Sequence, residues 1–422
     1  MRALLVTHGT RGDVQPMLAL AVALRAHGHE AVLAAPGSFA DVAGEYDVEF
    51  ASLSEGPNRL MNDPVVKEAI EGGYRGVRGK VTAVRTARRI KPLMAEVLRD
   101  VGVIAKTSHA DVVVHTTGVP AHHVAEMLRV PAVVVALQPG WIPIGEFPCP
   151  MIPLPRLPKR LNRATYLAVG AVLRMYAGIT SAWRTTDLGL PRRRGSHDIL
   201  RDEDGMNRPV LQAFSRHVTL AAADWPNSVH TTGFWHLPAG AGWEPPAELR
   251  DFLAAGTAPV YIGFGSMAGR DSRRTRAVVE EAVRRAGVRA VLATGWGGIA
   301  ADAGTGDLLV IDHAPHDWLF PRMSAVVHHG GGGTTGAALA AGRPQVVCPF
   351  VADQPFWAAR MHALGVAPAP IRQQRLTGDR LAAALRQATG DPTMRERAER
   401  LAREIRAEAG VSAAVALLET LT

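Results

Sequence analysis

The sequence predicts an α/β protein built from two Rossmann-like, doubly wound parallel-sheet domains. Three observations carry that reading. A short apolar run, a glycine turn, an apolar stripe at helical spacing and a second apolar run follow one another within the first 35 residues, which is a βαβ unit and implies parallel strands. The same alternation restarts at Val260, beyond a Pro/Gly-rich passage. At 422 residues the chain is also too long for one small core, and two or three domains are expected. Two such sheets facing a cleft bind ligands along the carboxyl ends of their strands.

The elements follow in order. Arg2 to Thr7 reads as a strand ending in the turn His8-Gly9-Thr10-Arg11-Gly12-Asp13. Met17, Leu20, Ala21 and Leu24 then recur at helical spacing, and Gly28 ends the helix,. Glu30 to Ala35, Asp111 to His115 and Ala132 to Leu137 are the next strands of this half. Between Gly140 and Arg160 the prolines are too dense for a central strand, so a long ordered loop is expected,. Tyr166 to Trp183 reads as an apolar helix interrupted by Arg174, and a strand-like stretch surrounds Val218. We place an amino-terminal domain at 1–236, a linker at 237–246, a second domain at 247–400, and a carboxyl-terminal helix at 401–422 packing back on the first domain. The second half offers strands at Val260 to Phe264, Ala290 to Thr294, Leu308 to Asp312, Ala325 to His328 and Gln345 to Pro349, with a helix at Arg274 to Arg285 and helical sequence from Met394 to Leu421.

Composition narrows the class. The chain is 47% hydrophobic and 20% charged, which excludes disordered and fibrous proteins,. Its net charge of +8 comes from scattered arginines rather than a tight basic stripe, so nucleic acid is not the expected partner,. Two cysteines cannot build a disulfide framework and suit a reducing cytosol,. Only Ala3 to Val6 are apolar after Met1-Arg2, too few for a secretory signal, and no stretch reaches the roughly 20 apolar residues of a membrane span,. A cytoplasmic location is expected. Arg85, Arg88, Arg89 and Arg192 to Arg194 allow at most weak peripheral contact with anionic lipid, and a solvated face is the better account of them,.

Two turns could hold phosphate. In His328-His329-Gly330-Gly331-Gly332-Gly333-Thr334-Thr335, glycines between a strand and a helix permit close approach of an anion to unpaired backbone N–H groups,. No Gly-Lys-Ser/Thr follows, so it is not a Walker loop. Gly263-Phe264-Gly265-Ser266-Met267 is a weaker second turn, and the following strand ends at Thr294-Gly295-Trp296 without the carboxylate of a dinucleotide fingerprint,. Asp353 and Gln354 could serve sugar hydroxyls, or Asp353 could simply cap a helix. Asp13 could accept a proton or cap the first helix, and His8 is an alternative base. His115, His122 and His123 lack metal-ligand spacing, no HExxH is present, and no Gly-x-Ser-x-Gly elbow points to a hydrolase,.

These motifs resemble a known family. His8-Gly-Thr-Arg-Gly-Asp-Val-Gln-Pro16 resembles the amino-terminal signature of GT-B, family 1-type nucleotide-sugar glycosyltransferases. Pro315 to Arg322, His328 to Thr335, Pro349 to Trp357, Gly233-Phe-Trp, Trp243 to Pro246 and Tyr261 to Ser266 resemble sterol 3-beta-glucosyltransferases, and bacterial antibiotic glycosyltransferases more loosely. The resemblance implies a GT-B architecture with Asp13 as catalytic base. It implies diphosphate binding by Ser266, His329, Thr334 and the amides of Gly331, Gly332 and Gly333, with Thr10 and Arg11 within reach of the leaving group. It puts the donor sugar on Asp353 and Gln354. The nucleobase platform falls on His313, beside Ala314, where relatives often have tryptophan, so uridine and deoxythymidine diphosphates both stay open.

The expected reaction is inverting and metal-independent, with a nucleotide sugar, foremost UDP-glucose, as co-substrate and no other cofactor. The acceptor is an apolar alcohol such as a sterol, in a pocket lined by Trp141, Phe147, Met151, Ile152 and Met175, residues that plain core packing would also explain. Domain closure around the donor is expected, and a homodimer is possible. The alternatives are an antibiotic, polyketide or flavonoid-type natural-product glycosyltransferase, a sugar-nucleotide 2-epimerase of the same architecture, and a non-catalytic relative.

Overall fold

The structure, a computed structural model, describes residues 1–71, 76–151, 157–219, 225–265, 272–295 and 306–422. The chain divides into two compact units. One comprises Met1–Arg216, Leu220–Leu237 and Ala409–Thr422, and the other His217–Thr219 and Pro238–Glu408.

The first unit holds a seven-stranded parallel sheet. Its strands are β1 (Arg2–Val6), β2 (Glu30–Pro36), β3 (Glu49–Leu53), β4 (Val112–Thr116), β5 (Ala132–Ala136), β6 (Val210–Gln212) and β7 (Val229–Thr231), in the order β3-β2-β1-β4-β5-β6-β7. Alternate side chains of a strand point to opposite faces. Accordingly Ala3 and Leu5 join one core with Met17, Leu20 and Leu24 of the helix Arg11–Ala26. Leu4 and Val6 join a second core with Val97, Leu98 and Trp183. Both faces are therefore covered, which is why these parallel strands read as continuous apolar runs. Ala414, Val415 and Leu418 of the helix Val411–Leu421 complete the first of these cores.

The second unit repeats the plan with β8 (Val260–Gly263), β9 (Ala290–Ala293), β10 (Leu308–Ile311), β11 (Ala325–His328) and β12 (Gln345–Val347), all parallel, in the order β10-β9-β8-β11-β12. Val260 and Ile262 face one core and Tyr261 the other. The order reverses beside β8, so β8 and β11 bound the switch point where a doubly wound sheet presents its ligand crevice.

Several sequence expectations are corrected. Val218 lies in a single helical turn, Arg216–Thr219, not in a strand. Tyr166 to Trp183 is divided between Leu167–Met175 and Ala177–Thr186, parted at Tyr176. Met394 to Leu421 is divided between Pro392–Arg406 and Val411–Leu421. Gly410 makes the second break: its φ of 54° favours glycine,, and an added Cβ would sit 3.0 Å from the carbonyl oxygen of Phe234. β3, β6 and β7 carry no clear apolar alternation and escape sequence reading. Among the described residues no helix is long and apolar enough to cross a membrane.

Candidate active-site residues

In the first unit, β1 delivers the chain to a turn whose geometry is set by Asp13. Thr10 is the N-cap of the helix Arg11–Ala26 and Asp13 its N3 residue. The Thr10 amide donates to Asp13 Oδ2 at 2.8 Å and the Thr10 hydroxyl at 3.2 Å. This is the reciprocal half of a capping box. Gly9 makes it possible: with φ at +142°, an added Cβ would stand 2.3 Å from Asp13 Oδ2. Asn58 Nδ2 donates to the Gly9 carbonyl at 2.8 Å, and the Thr7 hydroxyl to the Asp13 carbonyl at 3.1 Å. The carboxylate is thus held in one orientation, half-buried. Capping and proton transfer are compatible roles for it. Arg11 is exposed and its Nε donates to Gln15 Oε1 at 3.3 Å.

His8, the alternative base, has one ring nitrogen engaged. Its Nε2 hydrogen-bonds the Ser54 carbonyl at 2.9 Å. Burial lowers its pKa, opposed by Ser54 and by the nearby Glu55 carboxylate.

The second unit gathers a glycine-lined cradle at the carboxyl ends of β9, β8 and β11. Gly295 approaches Gly265 so closely that an added Cβ would lie 3.0 Å from the Gly265 carbonyl oxygen. An added Cβ on Gly265 would meet His329 Cε1 at 3.5 Å, and one on Gly331 would meet His329 Nε2 at 2.6 Å. The His329 ring is therefore pressed by Gly331, while its Gly265 side would still take a Cβ at ordinary contact. Its Nδ1 is buried without a partner, and burial pushes its pKa down to about 4. At neutral pH this is an uncharged ring with one N–H to donate. Gly331 is the N-cap of the helix Gly332–Ala340, and Thr334 its third residue. The orphan amides of that helix start and the imidazole together offer donors suited to an anion.

His328 holds the bend in place, a role the sequence reading missed. It is fully buried. Its Nδ1 accepts from the Gly330 amide at 3.0 Å, so Nε2 carries the proton and donates to Gln345 Oε1 at 2.7 Å. Burial, reinforced by His329, pushes its pKa down to about 3, against the opposing Gln345 bond. The only sequence signal for this pair is a polar residue at the start of an apolar strand, Gln345.

Gln354, next to Asp353, abuts the same bend. Gly330, at φ +91°, lies so close to Gln354 that an added Cβ would sit 3.1 Å from its carbonyl oxygen. Gln354 Oε1 accepts from the amides of Phe350 and Val351 at 2.8 and 3.2 Å. Asp353 occupies the N-cap of Gln354–Ala363, but its side chain does not cap that helix. Oδ2 instead accepts from Trp357 Nε1 at 2.7 Å, and burial raises the carboxyl pKa against that bond. His313 is exposed just beyond β10 and Ala314 beside it is buried. Ser266 lies outside the described residues.

The expected acceptor residues fall in the first unit. Trp141 packs half-buried against Ile142, Ile199 and Val210. Phe147 and Met151 come together around Ile144, Cys149 and Tyr166, and Gln138 Nε2 reaches Met151 Sδ at 3.8 Å. Met175 is exposed at the end of its helix. Ile152 lies outside the described residues.

The chain is similar to known proteins along nearly its whole length. Residues 3–138 match the glycosyltransferase family 28 N-terminal domain, and residues 305–421 match the erythromycin biosynthesis protein CIII-like C-terminal domain. An O-mycaminosyltylonolide 6-deoxyallosyltransferase of Streptomyces fradiae is 34% identical over 99% of this chain and 97% of its own. A sterol 3-beta-glucosyltransferase of Arabidopsis thaliana is also 34% identical, over 98% of this chain. The chain spans 64% of that plant relative's length and about 30% of a Penicillium rubens counterpart's. Among solved structures, the glycosyltransferase of kitacinnamycin superposes with a TM-score of 0.71 at 20% identity, covering 100% of this chain and 99% of that one. SnogD of Streptomyces nogalater gives 0.68 at 23%, with full coverage of both.

Proposed function

We propose that this chain, which belongs to the GT-B glycosyltransferases, transfers a hexose from a nucleoside diphosphate to a hydroxyl of an apolar acceptor with inversion at the anomeric carbon. One observation carries the donor half: an uncharged, half-buried imidazole, His329, lies against Gly331 at a helix start with its Nδ1 buried and unpartnered. A departing diphosphate needs such preorganised donors where its charge develops. The Gly331 to Gly333 amides, His329 and Thr334 supply them, so departure is assisted by hydrogen bonds rather than by a bound metal. Gln354, against the same bend, and Asp353 next to it would hold the sugar hydroxyls.

Asp13 supplies the proton acceptor. The acceptor oxygen forms its bond to the anomeric carbon while the bond from that carbon to the diphosphate oxygen breaks. The hydroxyl proton passes to the Asp13 carboxylate, and the diphosphate leaves with the electron pair. A carboxylate suffices as base because the electrophile is oxocarbenium-like and the proton moves late. UDP-glucose is the favoured donor and a sterol-like alcohol the favoured acceptor, on the likeness to sterol glucosyltransferases. A second reading, a dTDP-sugar donor with a macrolide or polyketide acceptor, is favoured by the Streptomyces fradiae relative and by two similarly folded structures described with thymidine diphosphate.

Asp13→Asn tests the assignment, because an amide oxygen can still accept from the Thr10 amide and keep the helix capped. Product formation, followed by mass spectrometry with UDP-glucose and a panel of sterols and polyketide aglycones, should fall about 10²- to 10⁴-fold. Affinity for the nucleoside diphosphate should stay within twofold. Full activity of Asp13→Asn would remove it as base. A changed sugar nucleotide formed without any acceptor would point to the epimerase instead.

A further inference from the structure

We infer that the amino-terminal half of the helix Gly76–Ser108 is a docking face for an anionic lipid surface. From 76 to 95 the chain has six basic residues and no acidic one. At 3.6 residues per turn, Val77, Val81 and Val84 form one stripe, and they are 80%, 43% and 54% exposed. Lys80 and Lys91 fall along one flank of the stripe, Arg78, Arg85 and Arg89 along the other, and Arg88 continues its line. Thr86, on the opposite side, is buried, so the valines point away from the core. The solvated-face expectation for Arg85, Arg88 and Arg89 is set aside, because a solvated helix turns its apolar residues inward. Here an apolar stripe faces outward between two cationic rows, none of whose members has an acidic partner among the described residues.

That arrangement matches the headgroup region of a bilayer. The valines can enter the acyl boundary while the longer basic side chains reach lipid phosphates. Neighbouring elements share the character. Met61 and Val65 are exposed on the helices Gly56–Met61 and Pro64–Glu71, which pack against this one. The helix Leu167–Met175 exposes Leu167, Val172 and Met175 within an acid-free stretch, 157–186. Every large apolar side chain exposed among the described residues belongs to the first unit. A second copy is a poor occupant, because an isologous pairing would set the six cations against the same six.

Sedimentation of the full chain with lipid vesicles tests this. With vesicles of phosphatidylcholine and phosphatidylglycerol at low salt, the chain should partition at least about tenfold more strongly than with phosphatidylcholine alone. The difference should vanish near about 0.5 M salt, where screening shortens the reach of the charges. Val81→Asp and, separately, Arg85→Glu with Arg88→Glu should each lower partition about tenfold or more, with unchanged circular dichroism and nucleoside diphosphate affinity. The inference is overturned if the chain ignores anionic vesicles, or if both variants bind them like the parent. It is also overturned if ultracentrifugation shows a dimer that Val81→Asp dissolves, which would assign the face to a second copy.

Discussion

Replacing Gly331 by alanine isolates the part played by His329. An alanine Cβ there would stand 2.6 Å from His329 Nε2, 3.3 Å from Cε1 and 3.5 Å from Cδ2. Ordinary contact needs about 3.4 Å or more, so the ring must retreat by nearly 1 Å. The side toward Gly265 has space, since a Cβ added there would meet Cε1 at an ordinary 3.5 Å, so the ring and its N–H shift from their present position. The backbone does not oppose the change, since Gly331 has φ −65° and ψ 143°, a region any residue adopts. Loss of a glycine N-cap costs up to about 1 kcal/mol, and the lower entropy of the unfolded alanine chain returns roughly 0.4–1 kcal/mol. Stability should change little, whereas a hydrogen bond to a charged ligand is worth about 1.5–3 kcal/mol. Losing it should weaken nucleoside diphosphate binding about 10- to 150-fold. Calorimetric titration of UDP and of thymidine diphosphate into the parent, Gly331→Ala, His329→Ala and the double variant would measure this. If both changes act through the ring, the double variant should bind no worse than His329→Ala alone. A folded Gly331→Ala protein with unchanged affinity for both nucleotides would refute the reasoning.

Acid sensitivity should arise in the second unit from His328 and His329 and in the first from His115, His122 and His123, which are fully buried and each have a ring nitrogen without a partner. Burial pushes His115 and His123 down to about 4 and lowers His122 well below its ordinary value. All of these rings are neutral in both states above pH 6.5, but between about 6.5 and 4 the unfolded chain takes up protons that the folded one refuses. Stability should therefore fall with falling pH by about 1 kcal/mol per unit for each ring, read from urea midpoints between pH 7 and 5; a flat profile counts against it. Gln345→Leu should cost about 1–3 kcal/mol by stranding the buried His328 N–H, and should weaken diphosphate binding through the loosened Gly330 bend. Unchanged urea unfolding would remove the pair from that role.

The two sheets were legible in the sequence because parallel strands covered on both faces are unbroken apolar runs, as in Leu4 to Val6 and Val326 to Val327. The glycine bend at 330–333 and the Asp13 turn were equally visible, since both depend on local backbone rules. The short strands β6 and β7 were not, because polar residues fall within them, Gln212 in one and His230 and Thr231 in the other, so no apolar run marks them. The breaks at Tyr176 and Gly410 were hidden too, since apolar residues continue on both sides of them.

Tertiary structure alone decided which atoms meet. Composition could not say that Asp13 lies over Gly9 with its carboxylate on the Thr10 amide. Nor could it say that Asp353 answers Trp357 instead of capping its helix, or that His328 is pinned by Gln345. Seventeen positions separate that last pair along the chain. Their contact follows from the pairing of β11 with β12. Local pattern determines where a strand or turn forms, but a buried polar atom takes its partner from whichever element the packing sets beside it.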